Sequence, residues 1–160
     1  MDVISMPNIN STPRRLRHDF PDIHFIEGDE FCWSSDKRTI THPPILTSED
    51  VAQLLHEIAH AQLGHSSYAR DISLIDMERQ AWEYAAKTLA PVYGVNLEME
   101  DAVVDTALDG YRQWLHNRST CPLCQAIGVE ISPRVYQCLS CQGEWRVNEA
   151  RTCQLRRYTQ

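Results

Sequence analysis

The chain has 160 residues, six cysteines and a formal net charge of −7. That length buries one sizeable core and a small satellite module, and the absence of any run of 18 apolar residues excludes a helix that crosses a bilayer. The charge excludes a chain that is basic throughout: residues 48–116 hold 12 Asp and Glu against 4 Lys and Arg, and residues 117–160 hold 3 against 6, an excess too small to define a nucleic-acid surface alone.

Met1 to Phe20 contains no apolar stretch long enough for a secretion signal, so a cytoplasmic protein with no membrane partner is expected. In that compartment, four cysteines in two C-x-x-C pairs indicate metal rather than disulfides. Cys32 and Cys153 remain as ordinary reduced thiols, because neither has a His or Lys beside it in sequence to lower its pKa. Three regions are expected: an arm over 1–19, a main domain over 20–117, and a cysteine module with a tail over 118–160.

The arm carries Pro7, Pro13 and the basic cluster Arg14-Arg15-Leu16-Arg17, and is read as flexible with room for a short helix. From Phe20 to His42, three short β-prone runs (24–27, 30–33 and 38–41) are separated by Gly28-Asp29 and Ser34-Ser35-Asp36-Lys37, which is turn chemistry. A small antiparallel sheet is predicted. Pro43-Pro44 ends it, and Thr47 or Ser48 before Glu49-Asp50 makes an N-cap with acidic residues in the first turn. The helix that follows is predicted to run to Leu63, with Val51, Leu54, Leu55, Ile58 and Ala59 buried and Gly64 as its C′ residue.

That helix carries His56-Glu57-Ile58-Ala59-His60. Side chains four residues apart lie about 40° apart around a helix, so both imidazoles share a face, with the Glu57 carboxylate beside them. This is the pattern of a zinc site that brings its own general base. A hydrolytic zinc usually keeps three protein ligands and a water, so a third ligand is needed. Three candidates follow, in the order Glu78, His65, Glu83. His65 lies half a turn away on a continuous helix and could reach the metal only if the chain folded back at Gly64. Glu78 opens a stripe with Ala81, Ala85 and Leu89 whose small residues permit a close helix approach, and Glu83 then points elsewhere.

A second helix is predicted over 75–89, closed by Pro91. A third is predicted from Leu97 or Met99 to Leu115, with Ala102, Val103, Thr106, Ala107, Tyr111 and Trp114 as its apolar face. Cys121-Pro-Leu-Cys124, thirteen residues, then Cys138-Leu-Ser-Cys141 is a structural-zinc signature. Strands at 129–131, 134–137 and 144–147 with a Ser132-Pro133 turn complete a zinc ribbon. Four thiolates close a metal's coordination sphere, so this site is assigned to stability. Arg134, Arg146, Arg151, Arg156 and Arg157 are its candidate contacts to nucleic acid or protein.

His56-Glu57-Ile58-Ala59-His60 followed by Glu78-x-x-Ala81-x-x-Tyr84-Ala85-x-x-x-Leu89-x-Pro91 resembles the ImmA/IrrE metallopeptidases, the minimal gluzincins. The likeness spans residues 20–115. It implies an α+β, zincin-like fold of a small antiparallel sheet and three helices, followed here by the ribbon. It further implies His56, His60 and Glu78 as zinc ligands, Glu57 as catalytic base, and the strand around Arg38 to His42 as the one that pairs with an extended peptide or protein substrate. Gln80, Trp82 and Tyr84 depart from that family's second motif, and no helix-turn-helix domain is evident in these 160 residues. A catalytic domain followed by a ribbon is also similar to the SprT-type proteases, some of which act at DNA. The expected function is zinc-dependent peptide hydrolysis with two Zn2+ per chain, one catalytic and one structural. The alternatives are a DNA-associated protease, or a zincin-fold adaptor without turnover that binds nucleic acid or protein through the ribbon. Tyr68, Tyr93, Tyr111 and His116 are candidate donors to the oxyanion of the reaction.

Overall fold

A computed structural model describes residue 9, residues 11–148 and residues 157–159. Cys153, Arg151 and Arg156 lie outside the described residues. The elements are helices α1 (Thr12–Asp19), α2 (Ser48–Gln62), α3 (Asp71–Tyr84), α4 (Ala90–Tyr93) and α5 (Ala102–Ser119), and strands β1 (His24–Glu27), β2 (Cys32–Ser34), β3 (Thr39–His42), β4 (Gly128–Ser132), β5 (Val135–Cys138), β6 (Glu144–Val147) and β7 (Arg157–Thr159). The architecture is mixed α and β with two small sheets. Among the described residues no helix is long and apolar enough to cross a membrane. By internal contacts the residues form two units, one of 1–66 and 77–105, the other of 67–76 and 106–160.

In the first unit, the arm holds the short helix it had room for, α1 over 12–19, and Leu16 is fully buried there. Its end is held by polar contacts, with the Tyr93 hydroxyl donating to the Asp19 carboxylate at 2.9 Å and the Arg15 guanidinium over the Tyr93 ring. Burial, followed by that carboxylate, pushes the Tyr93 phenol up to about 12.

The sheet of the first unit has the order β1-β3-β2, with β1 parallel and β2 antiparallel to β3. The expected all-antiparallel sheet is therefore corrected to a mixed one. The cause is the crossing at Gly28-Asp29. The chain leaves β1, passes over the end of β3 and descends as β2, so the last strand slots between the first two. Gly28 allows this passage: its N–H donates to the His42 carbonyl at 2.9 Å, and a Cβ there would collide with the Thr41 methyl group. A second correction follows. β3, expected to pair with substrate, is the central strand, and both its edges are already hydrogen-bonded.

α2 begins as expected. Thr47 Oγ1 accepts from Asp50 N–H at 3.1 Å, and Asp50 Oδ2 accepts from Thr47 N–H at 2.8 Å and Leu46 N–H at 2.9 Å, a reciprocal capping box. It ends at Gln62, and Gly64 takes φ 69, a left-handed conformation that glycine adopts without Cβ strain. Val51, Leu54, Leu55, Ile58 and Ala59 are buried as expected, and so are His56, Glu57 and His60. α2 is thus covered on both sides, by β2 and β3 and by the helical segment at 85–89.

The second helix starts earlier and runs further than the sequence suggests. After α3 the chain makes a π-helical turn over Ala85–Leu89, in which Ala90 N–H donates to the Ala85 carbonyl, and continues as α4 to Gly94 at φ 65. Pro91 does not close the helix. It falls in the first turn of α4, where its missing N–H is not needed. Ala81, Ala85 and Leu89 are buried in one line, as their spacing implied.

α5 starts at Ala102, after a turn in which Asp101 Oδ2 accepts from Glu98 N–H at 2.8 Å. Its buried positions are Val104, Leu108, Arg118 and Ser119; of the predicted face, Ala102 and Thr106 are exposed, and Val103, Ala107, Tyr111 and Trp114 are half-buried. In the second unit β4 to β7 form an antiparallel sheet in sequence order. The three strands expected at 129–131, 134–137 and 144–147 stand close to those positions, and β7 adds a fourth against β6. Cys121, Tyr136, Cys138, Trp145 and Val147 form its core.

Candidate metal centres

Among the described residues, two groups of side chains converge closely enough to hold a metal ion: His56, His60 and Glu78, and Cys121, Cys124, Cys138 and Cys141. In the first, His56 Nε2 and Glu78 Oε2 lie 3.0 Å apart, His60 Nε2 and Glu78 Oε2 3.3 Å, and the two Nε2 atoms 3.1 Å. Ligand atoms about 2.05 Å from a tetrahedral metal stand about 3.3 Å from one another. The triangle fits that requirement. All three side chains are buried, and burying a carboxylate among unpaired polar nitrogens is costly unless each finds a partner. Burial pushes the Glu78 carboxyl up, but the hydrogen bonds and charges of His56 and His60 outweigh it and hold the group well below the ordinary carboxylate range. Glu78 therefore stays ionised and ready to act as a ligand.

The elements explain the convergence. Four-residue spacing on α2 aligns the imidazoles, whose rings meet edge to face at 4.6 Å. Glu78 reaches them from α3, where the following stripe of small residues permits close approach. The fully buried Trp82 stacks on His56 with ring centroids 4.2 Å apart. Sequence reasoning treated Trp82 only as a departure from a family pattern. Glu57 is buried beside this group, and among the described residues no hydrogen bond or ion pair engages its carboxylate.

The chain folds back at Gly64 as a role for His65 would require, yet the ring is delivered to the far side of His60. His65 Nδ1 lies 2.9 Å from His60 Nδ1, not among the Nε2 and carboxylate atoms. Glu83 points elsewhere and pairs with Lys87 and Arg79. Of the four oxyanion candidates, Tyr93 is engaged by Asp19, and Tyr68, Tyr111 and His116 belong to the second unit.

In the cysteine group, Cys121 and Cys141 sulfurs are 3.8 Å apart and Cys124 and Cys138 sulfurs 3.4 Å. Disulfide sulfurs stand about 2.05 Å apart, whereas thiolates about 2.3 Å from a tetrahedral metal stand about 3.8 Å apart. The two knuckles share a backbone device. Gln125 and Gln142, each directly after the second cysteine of its pair, adopt φ 64 and 62. In the second knuckle the turned-back amides of Cys141 and Ser140 donate to Cys138 Sγ at 3.4 and 3.3 Å. These amides bring the Cys138 thiol down to about 6. The Gly143 amide draws Cys141 down too, but the sulfurs of Cys124 and Cys138 outweigh it and push that thiol up to about 11. Four sulfurs this close cannot all ionise without a cation between them.

The second unit also holds a buried polar network that the sequence did not announce. Arg118 donates from Nε to Asp71 Oδ2 at 2.7 Å and from Nη2 to Oδ1 at 3.3 Å, and the Tyr136 hydroxyl donates to Asp71 Oδ2 at 2.6 Å. Arg118 Nη1 donates to the Asn148 carbonyl at 2.7 Å, and its guanidinium stacks 4.5 Å from the Trp114 ring. Glu130 accepts from the backbone amides of Asp71 and Arg134, both at 2.8 Å. A bidentate partner for Arg118 lies 47 residues away in sequence, so no local pattern could reveal it. Of the ribbon arginines named above, Arg146 lies over the Tyr158 ring, and Arg157 donates to the Thr120 carbonyl at 2.9 Å.

The site geometry defines a chain with two candidate metal centres of different chemistry, a mixed nitrogen and oxygen triad and a thiol tetrad. No protein-family profile, no curated protein and no solved structure matches this chain.

Proposed function

We propose that the protein is a zinc-dependent metallopeptidase of the gluzincin type with a zincin-like first unit and a structural zinc ribbon. The observation that carries this reading is the buried triangle of His56 Nε2, His60 Nε2 and Glu78 Oε2, no side longer than 3.3 Å, beside an unengaged Glu57 carboxylate. Two neutral imidazoles and one carboxylate suit zinc, and a set of three leaves a coordination position for a reactant. Four thiolates suit a closed structural zinc.

His56, His60 and Glu78 hold the catalytic ion, and Glu57 does not join them as a ligand. Zinc bound there supplies polarisation of a carbonyl oxygen and acidification of water. The Glu57 carboxylate takes the proton of the attacking water and returns it to the leaving amine nitrogen. Its freedom from other partners suits that transfer, since a carboxylate already committed to a salt bridge is a poorer base. Trp82 excludes water from one side of the His56 ring. The substrate is an extended peptide or protein segment that pairs with the outer edge of β2, because β3 has no edge to offer. β2 suits this role because α2 lies against it and the Trp33 indole N–H donates to the His65 carbonyl at 3.0 Å, anchoring the strand near the histidines.

The test is cleavage of a mixed peptide library by the zinc-loaded chain. Glu57→Gln is expected to retain two zinc ions and to cleave at least about 100-fold more slowly. Cleavage by Glu57→Gln at the wild-type rate, or no cleavage by the loaded wild type, would overturn the reading.

A further inference from the structure

We propose that His65 is the positioning residue for the metal-binding nitrogen of His60: it accepts a hydrogen bond from His60 Nδ1–H and so keeps Nε2 free for the ion. The inference rests on the metal-centre reading above and deepens it.

A neutral imidazole carries one ring proton, and the nitrogen that lacks it is the one that binds metal. His60 Nε2 faces His56 and Glu78, so the ring must carry its proton on Nδ1. An N–H buried at that position needs an acceptor. His65 Nδ1 lies 2.9 Å away, with the two ring planes inclined by 63°. His65 accepts there only if its own proton sits on Nε2.

The backbone fixes this arrangement independently of the rings. Gly64 at φ 69 reverses the chain directly after α2, His65 N–H donates to the His60 carbonyl at 3.0 Å, and the His65 carbonyl accepts from the Trp33 indole N–H at 3.0 Å. Both backbone groups of His65 are therefore held, and its ring has little freedom to leave His60. A Cβ at position 64 would meet nothing within 4 Å, so glycine is required there by backbone conformation rather than by crowding. The other imidazole is held differently. His56 Nδ1 is buried with no hydrogen-bond partner among the described residues, and its ring is oriented by the stacked Trp82. One ligand is set by stacking and the other by a hydrogen bond, which makes His65 the polar group outside the triad, among the described residues, on which an imidazole ligand depends.

The experiment is a zinc titration of the full chain against a chromophoric chelator, with the triad's binding step identified as the one that Glu78→Ala abolishes. His65→Leu removes the acceptor, and His65→Asn keeps an acceptor oxygen on the same branch of the side chain. Both variants are expected to bind two zinc ions, with the triad step weakened about 10- to 100-fold in His65→Leu and close to wild type in His65→Asn. Unchanged affinity in His65→Leu, or equal weakening in both variants, would overturn the inference, because a purely space-filling role does not distinguish them by acceptor. Should His65→Leu fail to fold, the nitrogen-correlated NMR spectrum of the zinc-loaded wild type decides: the His60 proton on Nδ1 and protected from exchange supports the proposal, and a proton on Nε2 or an unprotected Nδ1–H overturns it. A wild type with no step that Glu78→Ala removes would sink the metal-centre reading itself and the role of His65 with it.

Discussion

At the scale of single residues, the polar groups that matter are buried, and burial decides what each must do. His56, His60 and Glu78 satisfy one another, while Arg118 and Asp71 do so in the second unit. A buried ion pair adds little net stability compared with a well-packed apolar replacement, but removing one partner leaves an uncompensated charge and costs roughly 3–5 kcal/mol. Arg118→Met is accordingly expected to destabilise the protein by about that amount in urea denaturation, through the abandoned Asp71 carboxylate. The double variant Arg118→Met with Asp71→Leu should recover much of the loss. If the single variant unfolds at the wild-type urea midpoint, the Tyr136 hydroxyl alone suffices for the Asp71 carboxylate and the ion pair is not needed.

Among the elements, α2 has the most to do, since it presents the histidine pair and meets both the sheet and the segment at 85–89. Its start depends on the Thr47 and Asp50 box, and Thr47→Ala should cost about 1 kcal/mol. The box also sets a pH dependence. Burial pushes the Asp50 carboxyl up, but the amides of Leu46 and Thr47 and the Thr47 hydroxyl hold it below its ordinary value of 3.8. A carboxyl depressed in the fold stabilises the protein above its unfolded pKa, and that contribution disappears as pH falls through the folded pKa. The stability gap between wild type and Asp50→Ala is therefore expected to be constant above about pH 5 and to close below 3.8. A gap that widens in acid would contradict the sign. The π-helical turn at Ala85–Leu89 belongs to this scale too. It lets one helical path continue from α3 to Gly94 despite Pro91, with Ala85, Ala86 and Leu89 buried.

For the molecule as a whole, the two units differ in how much of their core a candidate metal site supplies. The first has a core of Leu16, Ile40, Leu54, Leu55, Ile58 and Trp82 that is buried without help from an ion. Among the described residues, the core around the cysteine group has five buried members, and two of them, Cys121 and Cys138, are themselves candidate ligands. So small a core needs a staple. Cys138→Ser is expected to lose one zinc per chain and to abolish the fixed near-ultraviolet signal of Trp145, while the triad keeps its ion. Retention of two zinc ions by that variant would remove the thiol tetrad from the account.

Much of this was legible along the chain, because the relevant forces act over a few residues. The capping box, the glycine stop of α2, the shared face of His56 and His60, the line from Glu78 through Ala81 and Ala85, and the two knuckles all follow from local geometry. Sheet order, by contrast, turned on a crossing that Gly28 permits, and the continuation past Pro91 turned on a π-helical turn whose burial favours it. The pairing of Arg118 with Asp71 and of His60 with His65 required the chain to return to itself. What the sequence determined by itself was the chemistry on offer: two imidazoles, a base, a carboxylate and four thiols at spacings that helices and knuckles fix. Only the tertiary structure decided which of those groups meet, because convergence to 3 Å depends on how helices and turns come together and not on any period in the sequence.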